Sequence, residues 1–440
     1  MIALFMPMSF NIGSLGMSPL RVYLIIMTPI LFVNLFAGRY GRVHIIDVLF
    51  ILHMIWVTIA IAVNNPERVI ETAGSTSLEF LGGYLVARAF IRDRASFLGF
   101  CKAWTVVVAL TVLPVLFEQV TGNAILMTIA DAIPGVRSPG DGDNTRMGLE
   151  RVQVVFAHPI LYGLICSTAI PLAFVALKDE IGDTKRLFRT VIVSLCTFFS
   201  LSSGALLAML LHFFMIGWAW VFARVQRRWM VLLILIMIAY FAIDLLSSRT
   251  PLRVFLTYAT FSPHTAYYRM LIYDWGMINV WANPYFGIGY NDWVRASWMT
   301  PSVDNFWLLT AMRYGIPGFA FLAGGYFLLI WKVGRKKLEG DARILRYRRA
   351  WVFTLVGLCF TLTTVHIWSS PFTFLAFLLG AGVWFLDVIP ETDGTPDMDQ
   401  APLVPAGPVY ARKFASAPSS RMKTDINPKE GARYTRGRRP

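Results

Sequence analysis

The sequence predicts an all-α polytopic membrane protein with about 11–12 transmembrane helices. Hydrophobic residues make up 56% of the chain and charged residues 15%, whereas an ordinary soluble domain has about 25% charged residues. Mean hydropathy is +0.58. Continuous apolar runs of about 20 residues recur along the chain, and each is long enough to cross a bilayer. A membrane β-barrel is excluded, because its strands would alternate apolar and polar residues.

Eleven apolar segments are predicted to span the membrane. They are 18–37, 45–63, 75–91, 97–119, 154–177, 188–203, 204–222, 229–246, 314–333, 350–368 and 371–388. The run over 190–222 is too long for one crossing and is divided at the small-residue turn SLSSG, 200–204. The apolar stretch 1–10 is too short to span and lacks the basic start and cleavage site of a signal peptide. We expect it to be the stub of a span that starts upstream.

Basic residues in short loops define the predicted orientation. Clusters around Arg42, Arg92, Arg186, Arg227 and Lys336 all fall on one side of the predicted spans, and that side is cytoplasmic by the positive-inside rule. The net charge of +14 is thus explained by topology, and we predict no nucleic-acid binding. The few charges within spans include Glu79 and Arg88, which are expected to flank a buried polar path.

The chain divides into a membrane domain over 1–388 and a basic tail over 389–440. Pro, Ser, Lys, Arg and Asp dominate the tail, which predicts a disordered cytoplasmic C-terminus. Two long outer loops, 120–153 and 247–313, hold nearly all the polar residues of the membrane domain. The four cysteines lie in apolar segments, so the sequence predicts neither a disulfide framework nor a thiol metal site.

The first outer loop contains two arginines just before a predicted span that opens with His158 and Pro159. Arg146 and Arg151 suit binding of a lipid-linked diphosphate, because a guanidinium presents a planar fork of donors and stays charged. They equally suit interfacial anchoring at headgroups. His158 is either a proton carrier or, more simply, a cap of the span.

An acidic pair in the same loop raises the question of a metal. The sequence DGD at 141–143 resembles the D-x-D motif that holds a metal in many sugar-nucleotide glycosyltransferases. It lies in a Gly-Pro turn, where Asp and Gly are expected for conformational reasons. We therefore predict no metal site and no cofactor.

The second outer loop combines aromatic residues with isolated charges and amides. Tyr268 and Arg269 open a helical stretch, Asn283 begins the turn sequence NPYFGIG, and Trp293 follows. Asp304 and Asn305 then precede the next helix, where they suit a helix cap. Such a surface suits stacking on sugar rings and hydrogen bonding to their hydroxyls, or a position at the membrane interface.

The order of these pieces resembles the O-antigen ligase and polymerase superfamily, and within it bacterial exopolysaccharide polymerases of the succinoglycan type. The resemblance covers about residues 14–388. It is carried by Arg151 with FAHPILYG (156–163), SLSSGA (200–205), Tyr268-Arg269, NPYFGIG (283–289) and VDNFWL (303–308) through Gly315.

This resemblance implies a C-type glycosyltransferase fold with its site on the periplasmic face of the bacterial inner membrane. It implies saccharides on undecaprenyl diphosphate as donor and acceptor, no metal or nucleotide, and chain-length regulator and export proteins as further partners besides membrane lipids. Arg269 and Arg151 match arginines of the family. Ligases typically carry His where this chain has Asp304, which favours a polymerase.

The resemblance, together with the chemistry of these residue types, implies catalytic roles for Arg269, Asp304 and Arg151, with Asp304 as the base. Substrate binding is predicted for Arg146, His158, Tyr268, Asn283, Trp293 and Asn305. The alternatives are ligase-type transfer to another acceptor, a lipid-linked sugar transporter and a membrane scaffold. A transporter should show a charged central cavity and usually repeat symmetry, and neither is visible in the sequence.

Overall fold

The structure is a computed structural model that describes residues 1–13, 15–140, 145–146, 148–248, 250–251, 254, 263–338 and 340–388. These residues are overwhelmingly helical, with two short antiparallel hairpins, Phe10–Ile12 with Leu15–Met17 and Thr145–Arg146 with Leu149–Glu150. The all-α prediction is therefore confirmed. The predicted tail 389–440 and the acidic pair Asp141 and Asp143 lie outside the described residues.

Every predicted span coincides with a helix, although the boundaries differ by several residues. The helices are α1 (Pro19–Phe36), α2 (Ile45–Asn64), α3 (Gly74–Phe90), α4 (Arg94–Leu110), α5 (Val112–Thr121), α6 (Ile125–Asp131), α7 (Pro159–Ser167), α8 (Ala169–Pro171), α9 (Asp183–Phe199), α10 (Ser203–Val221), α11 (Arg228–Leu246), α12 (Pro263–Ala282), α13 (Phe306–Arg335), α14 (Ala342–Thr361) and α15 (Ser370–Gly380).

Seven helical segments in the described part of the chain are long and apolar enough to cross a membrane. They are α1, α2, α4 with α5, the segment Pro159–Ala176, α10, α11 and α13. Lengths of at most 17 residues keep α3, α9 and α15 below the same criterion, and the arginines of its first turns keep α14 below it. The chain is a multi-pass membrane protein.

The predicted span 350–368 differs most from the structure. Helix α14 runs over Ala342–Thr361, so it begins and ends earlier than predicted. Its first turns carry Arg343, Arg346 and Arg348, which look like loop residues in a hydropathy profile. Arg346 instead pairs with Asp179 at 3.4 Å, and Arg348 donates to the carbonyl of Lys336 at 2.5 Å.

The short basic loops gather at one end of the helix bundle, which we call the basic end. There Arg94 pairs with Asp341, and His44 contacts Asp387 at 2.9 Å. The buried Arg88 also belongs to this end, since it donates to the carbonyls of residues 40 and 42 at 2.7 Å each. The other ends of the helices and the described parts of the two long loops form what we call the loop end.

The expectation that Glu79 and Arg88 flank one polar path is wrong. Nine residues on one helix separate them by about 13 Å, and each has its own partner. Arg88 contacts Asp47 at 3.4 Å at the basic end. Glu79 pairs with Arg21 at 2.8 Å towards the loop end.

Helix α13 is two helices joined at a break. Gly315 adopts φ 70° and ψ 179°, far from helical values, and a side chain at this position would collide with the carbonyl of Tyr285. The turn 283–289 fills the break: Ile288 N donates to Met312 O at 2.8 Å, and Gly289 N donates to Arg313 O at 3.0 Å. These bonds satisfy carbonyls that a helix terminus would leave unpaired.

This joint is fixed to the helix bundle through α2. Asn65 Oδ1 accepts from Tyr290 N at 2.8 Å, and Asn65 Nδ2 donates to Asn291 Oδ1 at 2.9 Å. Trp56 Nε1 lies 3.0 Å from the carbonyl of Tyr314 and 3.2 Å from that of Tyr285. The first half of α13 and the second outer loop are therefore held at a defined position over the bundle.

Candidate active site

Arg269 is the buried cation of the second outer loop. It lies on α12 and is only 8% exposed. Its Nε and Nη1 have no hydrogen-bond partner within the described ranges, although buried donors are nearly always paired. Burial lowers the pKa of Arg269, the negative charge of Asp304 opposes this shift, and Arg146 adds to it. An unpaired buried guanidinium of this kind is suited to receive an anion.

Asp304 is the acidic neighbour of Arg269. It lies immediately before α13, where Asn305 makes the helix cap through Oδ1 and Leu308 N at 3.0 Å. The Asp304 carboxylate is thus left free of the capping role. The surrounding protein raises the pKa of Asp304 by desolvation, and Arg269 lowers it by a smaller amount. A carboxylate with a raised pKa is better matched to accepting a proton near neutral pH.

Arg146 and Arg151 bring the first outer loop to the same place. Arg146 Nη1 donates to Leu201 O at 2.9 Å, next to the turn between α9 and α10. Arg151 keeps a buried Nε without a hydrogen-bond partner in the described structure. Desolvation, followed by the charge of Arg146, lowers the pKa of Arg151 to about 10. The charge of Arg146 also lowers the pKa of Arg269. The arginines of the two loops therefore form one cationic cluster.

The position of Arg151 is fixed by a carboxylate that the sequence analysis did not identify. Both oxygens of the buried Glu118 accept backbone N–H groups, from Gln153 at 2.7 Å and Val154 at 2.9 Å. Val154 has φ 57°, an uncommon value for a β-branched residue. This clamp turns the chain sharply between Arg151 and α7.

His158 caps α7, which is the simpler of the two roles predicted for it, a helix cap or a proton carrier. Its Nδ1 accepts from Ile160 N at 3.1 Å. Burial, with added repulsion from Arg151 and Arg146, lowers the pKa of His158 to about 4. The imidazole is therefore neutral near pH 7.

A cavity of about 430 Å³, which we call the main cavity, opens beside these groups. His158, Asp304, Arg313, His366 and Trp368 line it together with Pro301, Ser302 and apolar residues. Asp304 and His158 link it electrostatically to the cationic cluster. The arrangement places anion-binding groups, a carboxylate and an aromatic ring around one space.

Three lining residues, Arg313, His366 and Trp368, did not stand out as a site in the sequence. The Arg313 guanidinium lies 4.3 Å above the Tyr290 ring. His366 stacks between Phe306 and Trp368. Burial, then the charge of Arg313, lowers the pKa of His366 to about 3. The signal in the sequence was the polar and aromatic interruption HIWSS between two apolar segments.

Other predicted substrate residues have structural contacts instead. Asn283 ends α12, where its backbone carbonyl accepts from Gly287 at 3.1 Å. Trp293 is buried and donates to Pro301 O at 3.0 Å. The backbone N–H of Thr300 donates to the Tyr268 hydroxyl at 2.6 Å, which fixes the chain at this point. These contacts, like the cap made by Asn305, shape the loop that carries Asp304.

The described residues contain no group of three or more His, Cys, Asp or Glu side chains that could hold a metal ion. Asp141 and Asp143 lie outside those residues, so the prediction that they bind no metal stays a prediction. The groups that the structure gathers are cationic, and they suit an anion without a mediating metal.

Comparison with known proteins gives one match. No curated protein matches the chain. The family model described as O-antigen ligase matches residues 188–323, a range that includes Arg269, Asp304 and the Gly315 joint. Members of this family are glycosyltransferase-like enzymes. Residues 188–323 of this membrane protein are therefore similar to the O-antigen ligase family, which supports the resemblance to the O-antigen ligase and polymerase superfamily.

Proposed function

We propose that this protein polymerises oligosaccharide repeat units carried on undecaprenyl diphosphate, at the periplasmic face of the bacterial inner membrane. The observation that supports this most directly is the pair of unpaired buried donors on Arg269, next to the carboxylate of Asp304, with a further unpaired Nε on Arg151 in the same cationic cluster of the described residues. Two guanidinium groups with free donors match a diphosphate, and the carboxylate matches an incoming hydroxyl.

In the proposed reaction, a hydroxyl of the acceptor glycan attacks the anomeric carbon of the donor. The bond from that carbon to the diphosphate oxygen breaks, and its electron pair stays on the diphosphate. Arg269 and Arg151 stabilise the charge that develops there. The hydroxyl proton passes to Asp304, whose raised pKa suits this role.

The polymerase is favoured over the ligase by Asp304. Ligases that the chain resembles typically carry His at this place, whereas the two histidines of the main cavity, His158 and His366, come from other segments of the chain and have lowered pKa values. Orientation supports a periplasmic site, since the cavity lies at the loop end and the positive-inside rule makes the basic end cytoplasmic.

The test is polymer length on the lipid carrier, measured with purified protein in liposomes that contain the lipid-linked repeat unit. We expect a ladder of lengthening products from the wild-type protein and none from Arg269→Ala. Transfer of single glycans to a different acceptor lipid, without a ladder, would identify a ligase. Movement of unchanged donor across the bilayer would identify a transporter.

Arg269→Lys sharpens this test. Lysine keeps the charge but cannot make the two-pronged contact of a guanidinium, so we expect little rescue. Full activity of Arg269→Ala would remove Arg269 from the mechanism. Loss of the protein from the membrane, rather than loss of polymer alone, would indicate a structural role.

A further inference from the structure

A second, larger cavity lies beside the main cavity at the loop end. This space of about 500 Å³, which we call the side chamber, is bounded by α1, the start of α3 and the loop before α15. Its polar lining comprises Arg21, Glu71, Thr72, Ser75, Thr76, Glu79, Tyr290, Trp368 and Ser369. Hydroxyls, carboxylates and two aromatic rings therefore face one volume that the proposed reaction has not used.

An ion pair fixes the inner wall of the side chamber. Arg21 Nε donates to Glu79 Oε1 at 2.8 Å, and Arg21 Nη1 donates to Gly16 O at 2.6 Å. The Glu79 side chain is only 8% exposed, and its second oxygen has no hydrogen-bond partner within the described ranges. A carboxylate that keeps one oxygen unbonded can accept a hydrogen bond from a ligand hydroxyl.

The charge of the side chamber differs from that of the main cavity. Arg21 is already paired with Glu79, and Glu71 adds a second carboxylate, so the lining carries a net charge of −1. A phosphate headgroup would be repelled by this balance, whereas neutral sugar hydroxyls would find several partners. Trp368, 42% exposed, and Tyr290 add ring faces of the kind that pack on sugars.

The two cavities are neighbours. A narrow space of about 80 Å³ lies between them. It shares Arg313, His366 and Trp368 with the main cavity, and Thr76, Glu79 and Tyr290 with the side chamber. Trp368 lines both the side chamber and the main cavity that contains Asp304.

We infer that the side chamber binds the sugar residues of the acceptor glycan, so that its terminal hydroxyl reaches the main cavity. The identification of this glycan as the acceptor rests on the proposed function. The binding of a neutral saccharide in the side chamber can be tested without it. The suitable probe is the repeat-unit oligosaccharide released from its lipid and diphosphate, because it lacks the group that the arginines would hold.

Gly74 allows the side chamber to be blocked after folding. It lines the chamber, has helical φ and ψ of −60° and −50°, and a side chain there would meet nothing within 4 Å. Gly74→Cys is made in a Cys359→Ala background, since the other three cysteines are buried. Pyrene maleimide is attached to the purified, folded protein. Glu67→Cys, exposed and outside the chamber, carries the same label as a matched control.

We expect the label at position 74 to weaken binding of the released glycan at least about tenfold, the loss of one or two hydrogen bonds. The label at position 67 and the Arg269→Ala variant should leave this binding unchanged. Polymer formation should fall with the label at position 74 and not with the label at position 67, while binding of the lipid-linked donor persists in both.

Several outcomes would overturn the inference. The wild-type protein would fail to bind the released glycan, or the glycan would bind equally well after labelling at 74. Loss of binding in Arg269→Ala would place the glycan in the main cavity instead. Phospholipid that copurifies with the protein and is displaced by the label, without glycan binding, would assign the chamber to a lipid headgroup. If glycan binding follows the expected pattern but no polymer forms, the proposed function fails and the saccharide site stands.

Discussion

Replacement of Arg269 by Met should change stability and turnover in opposite directions. Methionine has a similar length but no donors, so it removes two buried N–H groups that have no hydrogen-bond partner in the described structure. Each such group costs about 1–3 kcal/mol in the folded state. Because the side chain is 8% exposed, little of this cost is relieved by water. We expect the free energy of unfolding to rise by about 1–3 kcal/mol, counting one group.

Turnover should fall at the same time. Removing one preorganised donor from a developing oxyanion costs about 10²–10³-fold in rate, and Arg269 is the most buried cation of the cluster. The loss of its charge would also raise the pKa of Asp304 further, since Arg269 is the group that lowers it. Stability is followed by thermal unfolding in detergent, and turnover by polymer length in liposomes.

Arg295→Met is the matched control. Arg295 lies in the same loop, but its donors are used: Nε bonds to Met299 O at 3.1 Å, and Nη1 bonds to Trp293 O at 3.0 Å and to Asp292. Its replacement should destabilise the protein and spare the chemistry of the assembled site. If Arg269→Met destabilises the protein as Arg295→Met does, or keeps its rate, the anion-binding role of Arg269 is refuted.

Three further outcomes are expected. The polymerisation rate should rise with pH through the pKa of Asp304, which lies above that of an ordinary aspartate. Asp304→Asn should abolish this pH dependence and lower the rate about 10²–10⁴-fold, and an unchanged pH profile would exclude Asp304 as the base. Polymerisation should survive excess chelator, and Asp141→Ala with Asp143→Ala should be nearly silent; activity restored by magnesium would contradict this. An impermeant thiol reagent should label Trp298→Cys in intact spheroplasts and Arg227→Cys only after lysis, on a cysteine-free background; the reverse pattern would invert the topology.

The fold was largely predictable because the bilayer imposes it. Long apolar runs and basic loops are direct consequences of lipid and translocation energetics, and every predicted span is a helix. The errors fall where side chains compensate each other. Arg346 and Arg348 extend α14 because partners at the basic end satisfy them, which a hydropathy profile cannot register.

The site was predictable only in part, since its residues converge from separate loops. Arg269 and Asp304 were identified by resemblance, and their electrostatic contact appears only in three dimensions. Arg313 and His366 were missed because isolated charged or aromatic residues at span ends are common. Trp293 and Asn305 have residue types that suit sugars, and the structure shows them in packing and capping contacts.

The joint at Gly315 has a consequence for how this protein can be altered. The turn 283–289 completes the broken helix, while Asn65 on another part of the chain holds the turn. If the second outer loop were replaced by that of a relative, the backbone N–H groups of its turn would not match the acceptors at the helix break and at position 65. Residues around 65 and 315 would have to be replaced together with the loop. An exchange of specificity between relatives should therefore require three separate stretches of chain to be transferred together: the second outer loop, the region around residue 65 and the region around residue 315.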